Sequence, residues 1–223
     1  MPMTASDFGA FAVRITEPIP VGIVNLFLVF MMWAVMMVAM MLPSAAPMIL
    51  MYARIAGGRG RKVASSALAF AAGYIAVWTI FSAAATAIQL TLERAALAFH
   101  TPGASAFAGA AVLIAAGIYQ VSPLKEACLG HCQSPVGFFM THWSDGRSGA
   151  ARMGLSHGFF CVGCCWILML LLFVVGVMNL LWVAMLTAFI LIEKVAPFPR
   201  LIARSSAVVM VVSGVILAMR AVL

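Results

Sequence analysis

Between Met153 and Trp166 the chain reads Met-Gly-Leu-Ser-His-Gly-Phe-Phe-Cys-Val-Gly-Cys-Cys-Trp, a stretch holding three of its five cysteines and one of its four histidines. At about 100° per helical residue, Met153, His157, Cys161 and Cys164 fall within about 80° of one another on one face, while Cys165 turns away from that stripe. Helical residues three or four apart have Cβ atoms about 5 to 6 Å apart, so His157, Cys161 and Cys164 can converge on one ion without unwinding the backbone. Thiolate and thioether sulfur are soft donors that select Cu(I), whereas Mg²⁺ and Ca²⁺ ask for several oxygen ligands that this segment lacks. Copper is therefore the first choice. Zinc accepts the same Cys and His donors, and one further ligand would complete a tetrahedral site.

More sulfur lies elsewhere in the chain. Met36, Met37, Met40 and Met41 crowd one apolar segment, with Met48 and Met51 beyond two prolines, and Cys128 and Cys132 flank His131 at helical spacing. A single methionine in an apolar helix is a gap filler, and a single buried cysteine is a small hydrophobe. The density of sulfur, not any one atom, argues for chemistry. His100 and His142 have no sulfur beside them in sequence and read as structural. Glu193 is a carboxylate in an apolar segment, which costs several kcal/mol unless it is paired or wetted. It therefore either pairs with Lys194 or snorkels to the interface, or it faces the pocket as a ligand or proton carrier.

Two other readings compete. Cys161-Val-Gly-Cys164 is a Cys-x-x-Cys pair, the pattern of thiol-disulfide exchange or electron relay, but the methionines and His157 have no place in that chemistry. A structural subunit of a larger membrane complex, braced by a metal, is the third. No Gly-rich phosphate loop and no Ser, His and acid set in a wet pocket is present, so a hydrolase or phosphotransferase is disfavoured, and the balance lies against an enzyme without deciding the question.

The elements that must position these residues follow from composition. The 223 residues are 65% apolar and 9% charged, and mean hydropathy is +1.13, which indicates an all-α polytopic membrane bundle forming one membrane domain over residues 1–223. Apolar runs predict six spans, at about 21–52, 63–92, 104–121, 153–175, 180–195 and 201–223, with an interfacial or re-entrant segment at 123–152. Pro43 and Pro47 should kink or end the first span. A polar link holding Glu93, Arg94, His100 and Pro102 separates the second from the third. Ala- and Gly-rich second and third spans suit close packing within a bundle.

The net charge of +7 records topology, and nucleic acid is not an expected partner. Ten of the thirteen basic residues follow spans one, three and five: Arg54, Arg59, Arg61 and Lys62, then Lys125, Arg147 and Arg152, then Lys194, Arg200 and Arg204. The opposite side receives Arg14, Arg94 and Arg220. The segment 123–152 is then cytoplasmic, and both termini lie on the non-cytoplasmic side. The first twenty residues, with Asp7, Arg14, Glu17 and three prolines, do not resemble a cleaved signal peptide. This orientation puts the thiol stripe, the methionines and Glu193 at one depth, in the cytoplasmic half.

Three motifs carry a family resemblance: Trp33–Pro43 (Trp-Ala-Val-Met-Met-Val-Ala-Met-Met-Leu-Pro), Tyr119–Ser134 (Tyr-Gln-Val-Ser-Pro-Leu-Lys-Glu-Ala-Cys-Leu-Gly-His-Cys-Gln-Ser) and Gly154–Trp166, with Glu193-Lys194 downstream. The chain resembles a bacterial family of metal-binding integral membrane proteins, some of which carry a copper-chaperone label. The resemblance implies a bacterial inner-membrane protein that handles Cu(I), with zinc as the other ion. It implies metal positions at Met37, Met40, Met41, Cys128, His131, Cys132, His157, Cys161, Cys164, Cys165 and Glu193. Besides the lipid bilayer, the partners expected are a metal donor or acceptor protein and the subunits of a membrane complex.

Overall fold

The computed structural model describes residues 23–57, 63–98, 102–176 and 179–222. The basic segment at 58–62, His100 and the N-terminal residues up to 22 lie outside them. Every described element is helical: α1 (Ile23–Gly57), α2 (Val63–Ala98), α3 (Pro102–Gln120), α4 (Pro123–Gln133), α5 (Pro135–His142), α6 (Gly146–Val175), α7 (Leu180–Val195) and α8 (Pro199–Val222).

Of the six expected spans, the described residues show four helices long and apolar enough to cross a membrane, α1, α2, α6 and α8, or five if the bent pair α3 and α4 is counted as one span. At 1.5 Å per residue the 16 residues of α7 reach only about 24 Å, short of a hydrocarbon core of about 30 Å. The third expected span meets a 64° bend at the break before Pro123. Ser122 caps the new helix by accepting from the Lys125 amide at 3.2 Å, and Pro123 takes the first helical turn, where its missing N–H costs nothing. The interfacial segment resolves into α4, α5 and the first two turns of α6.

The prolines of α1 do not end it. The helix is continuous through Pro43 and Pro47, and the hydroxyls of Ser44 and Tyr74 both donate to the carbonyl of Met41, two residues before Pro43, at 2.8 and 3.1 Å. Glu93 and Arg94 belong to the C-terminal part of α2, not to a link.

The central element is α6, 56% of whose apolar window is buried against 11% for α8. Small residues set its packing on α2: a Cβ at Gly154 would lie 2.0 Å from the Phe70 carbonyl oxygen, and one at Gly73 would lie 2.2 Å from that of Ala151. The two backbones touch, as small-residue interfaces in lipid allow. The large apolar residues left exposed, such as Ile23, Leu68, Leu180 and Val208, lie on the outward faces of α1, α2, α7 and α8.

Candidate metal centre

Cys161, Cys164 and Cys165 of α6 are all buried, with free thiols. The Cys164 and Cys165 thiols both donate to the Cys161 carbonyl, at 3.1 and 2.9 Å. This back-bonding along the axis draws Cys165, which the helical projection turned away, into the same buried cluster as its neighbours. Met37, Met40 and Met41 of α1 are buried in that cluster too.

Cys128 and Cys132, one turn apart on α4, pack against the cluster. The Cys132 sulfur lies against those of Cys161 and Cys164. Cys128 reaches α6 because residue 163 has no side chain: a Cβ there would sit 2.7 Å from the Cys128 sulfur. The Tyr119 hydroxyl donates to the Gly163 carbonyl beside it.

A polar ring closes around Cys161. Lys194 of α7 donates from Nζ to the Cys161 sulfur at 3.0 Å and to Ser44 Oγ at 2.9 Å. Ser44 Oγ donates to the Met41 carbonyl, which also accepts from Tyr74, and the Tyr74 hydroxyl lies 3.1 Å from the Cys161 sulfur. Four helices, α1, α2, α6 and α7, meet at one thiol. A buried ammonium requires a partner, and here the partner is sulfur.

Glu193 takes a different direction. Adjacent helical residues do not face one another, so Glu193 and Lys194 address separate sites. The Glu193 carboxylate accepts from Lys125 Nζ at 2.9 and 2.7 Å and from Gln120 Nε2 at 2.9 Å, all within a buried pair. Its backbone carbonyl accepts from Gln133, and Gln120 also donates to Ser206. This cluster ties α3, α4, α7 and α8 together.

His157 is buried among rings, stacked on Tyr74 at 5.6 Å and edge-on to Phe138 at 5.6 Å, and its Nδ1 has no hydrogen-bond partner among the described residues. Met153, the first member of the stripe, falls in a separate core with Met48, Tyr52, Phe70 and Phe138. His131 points away from the sulfur: its Nδ1 is 2.9 Å from the Ala127 carbonyl oxygen, its ring stacks on Phe160 at 4.1 Å, and His142 lies edge-on at 6.1 Å.

Among the described residues no three His, Cys, Asp or Glu side chains form a ready cage for an ion. What the fold assembles is soft: thiols from α4 and α6 with thioethers from α1, and, among the described residues, no carboxylate bonded to Cys161. That donor set fits Cu(I) and does not fit a hard cation. Residue types alone did not single out Lys194, Tyr74 or Ser44. Lys194 carried one usable signal, a charge within an apolar helix, which marks a functional position more often than a topological one. Tyr74 carried none.

A family model described as PpoB2, copper chaperone, matches residues 30–217. No curated protein and no solved structure is significantly similar to the chain.

Proposed function

The chain belongs to the PpoB2 copper chaperone family, and from that premise we propose that it is a membrane-embedded carrier of soft metal ions, Cu(I) ahead of zinc, working by exchange between cysteine sulfurs. The observation that carries this reading is the convergence of Cys161, Cys164 and Cys165 with Cys132 and with Met37, Met40 and Met41 in one buried core. Cys128 and Cys132 form the intake side, where a donor protein hands over the ion. Cys161 and Cys164 hold it, and a methionine thioether of α1 adds a neutral soft contact. His157, with its unpartnered Nδ1, is the additional donor. His131 stands at the cytoplasmic approach to the cysteines. Glu193 serves by position: its grip on Lys125 fixes α4, and thereby Cys128 and Cys132, against α6.

Handover needs no redox change. One sulfur of the donor leaves Cu(I) as one sulfur of the chain joins, through species bridged by the metal. The residue spacing along α4 and α6 suits such a stepwise passage. The charge distribution supports a cytoplasmic site in a bacterial inner membrane, with both termini on the far side.

The test is metal retention by the purified protein, loaded with Cu(I) under reducing conditions and desalted. Wild type retains copper, and Cys161→Ser/Cys164→Ser does not. Background metal in wild type, or equal content in the variant, sinks the reading. Loss of metal binding together with cysteine alkylation that changes with redox state would instead favour thiol-disulfide exchange.

A further inference from the structure

Between the bend that joins α3 to α4 and the first turns of α8 lies a cavity of about 850 Å³, within the range of about 300 to 1,000 Å³ that ligand pockets occupy. Part of its lining is polar and already committed: buried Gln120 and Lys125 are bonded to the Glu193 carboxylate, and Gln133 donates to the Glu193 carbonyl. Arg200 and Arg204, one turn apart on α8, line it too. Arg200 reaches Glu126 of α4 at 2.6 Å, whereas Arg204 has no hydrogen-bond or ion-pair partner among the described residues. Val121, Phe198 and Leu201 complete the lining yet are 57, 68 and 68% exposed, so the cavity is continuous with an apolar outer surface of the kind that lipid tails cover. We propose that this cavity seats the phosphate of an anionic glycerophospholipid on Arg204 and Arg200, with the acyl chains leaving past Phe198, Leu201 and Val121.

Charge selects the headgroup. Lys125 and Glu193 sum to zero wherever the proton between them sits, and Arg200 is offset by Glu126. The lining is left with one positive charge, on a guanidinium that stays protonated. A phosphodiester supplies one negative charge, and guanidinium groups projecting from positions about 5 to 6 Å apart bind phosphate oxygens in the bidentate way that arginine favours. A choline headgroup would bring a second cation against the arginines; a glycerol headgroup brings only hydroxyls. Inorganic phosphate satisfies the same guanidinium but leaves the exposed apolar flank uncovered, which is why a lipid is the better occupant. On the orientation proposed above the cavity opens at the cytoplasmic side, where basic pockets between membrane helices take anionic headgroups. The site shares no residue with the sulfur cluster, so it goes beyond the metal-carrier reading and does not depend on it. A lipid in this seat braces α4, the helix of Cys128 and Cys132, against α8.

The test uses the full chain, purified in a non-ionic detergent, stripped of lipid and mixed with phosphatidylglycerol, phosphatidylcholine or inorganic phosphate; bound lipid is counted by native mass spectrometry. Wild type should bind one phosphatidylglycerol with about tenfold or greater preference over phosphatidylcholine, and excess inorganic phosphate should not displace it. Arg204→Gln should lower that preference by about fivefold or more, while Arg220→Gln, the same change of charge at the other end of α8, should leave it within about twofold. Both arginines are exposed, so neither substitution should disturb the helices, which circular dichroism checks. Equal binding of the two lipids by wild type, or binding of neither, overturns the inference without any variant. An unchanged preference in Arg204→Gln also overturns it, as does an equal loss in Arg220→Gln, which would mark a general effect of net charge. Displacement by inorganic phosphate would assign Arg204 to a free anion and overturn the lipid seat. Copper retention is measured separately on the same preparations, and none of these outcomes bears on it.

Discussion

At Cys161 one sulfur receives a cation from α7 and touches a hydroxyl from α2, while its own carbonyl accepts the thiols of Cys164 and Cys165. Each contact makes a separate expectation. Tyr74→Phe removes a hydroxyl bonded to the Met41 carbonyl, so it should lower stability by about 1 kcal/mol, read as a lower midpoint in thermal unfolding, while copper retention persists. Glu193→Gln leaves the buried Lys125 without its counter-ion and should cost about 3 to 5 kcal/mol; adding Lys125→Met should recover most of that, and failure to recover would mean that the pair is not the energetic link between α4 and α7. The types of these residues were plain in the sequence, and so was the helical spacing of the cysteines. Their partners were not, because Lys194 and Cys161, or Lys125 and Glu193, meet only through packing between distant helices.

At the level of elements, α6 is the scaffold, and α2 and α4 lie against it through missing side chains. Gly154→Val would drive a Cβ into the Phe70 carbonyl oxygen and separate α2 from α6, costing about 1 to 3 kcal/mol or more. Loss of monodisperse protein on size exclusion is the expected outcome. Gly130→Ala, where a Cβ meets nothing within 4 Å, is the matched control and should be neutral or slightly stabilising because alanine is the better helix former. Gly163→Val should push the Cys128 sulfur off α6, slowing copper uptake while Cys161 and Cys164 still retain what reaches them. Helix existence was legible from apolar runs, and the close approach of Ala- and Gly-rich spans from composition. Helix ends were not: hydropathy cannot tell that α1 passes unbroken through two prolines.

For the whole molecule, the number of crossings decides where the ends of the chain lie. An even number returns the chain to the side from which it started, and an odd number does not. The positive-charge asymmetry predicts both termini on the non-cytoplasmic side and Ser148 on the cytoplasmic side, which requires α3 and, with local thinning of the bilayer, the 16-residue α7 to cross alongside α1, α2, α6 and α8; a C-terminal alkaline phosphatase fusion should then be active and a Ser148→Cys variant should react with an impermeant maleimide only after the membrane is opened. An inactive fusion would favour an odd count, with α3 and α4 forming one bent span and α7 none. By itself the sequence determined the helical class, the apolar character, the stock of soft ligands and their spacing along each helix. These follow from local periodicity and composition, which act within one turn or one span. Only the tertiary structure decided that Lys194 faces sulfur, that Glu193 faces Lys125, that Cys165 joins the cluster and that His131 leaves it. Those outcomes depend on how each helix is rotated against its neighbours. That rotation is set by backbone contact at glycines and by the need to pair each buried charge, not by any pattern within a single segment.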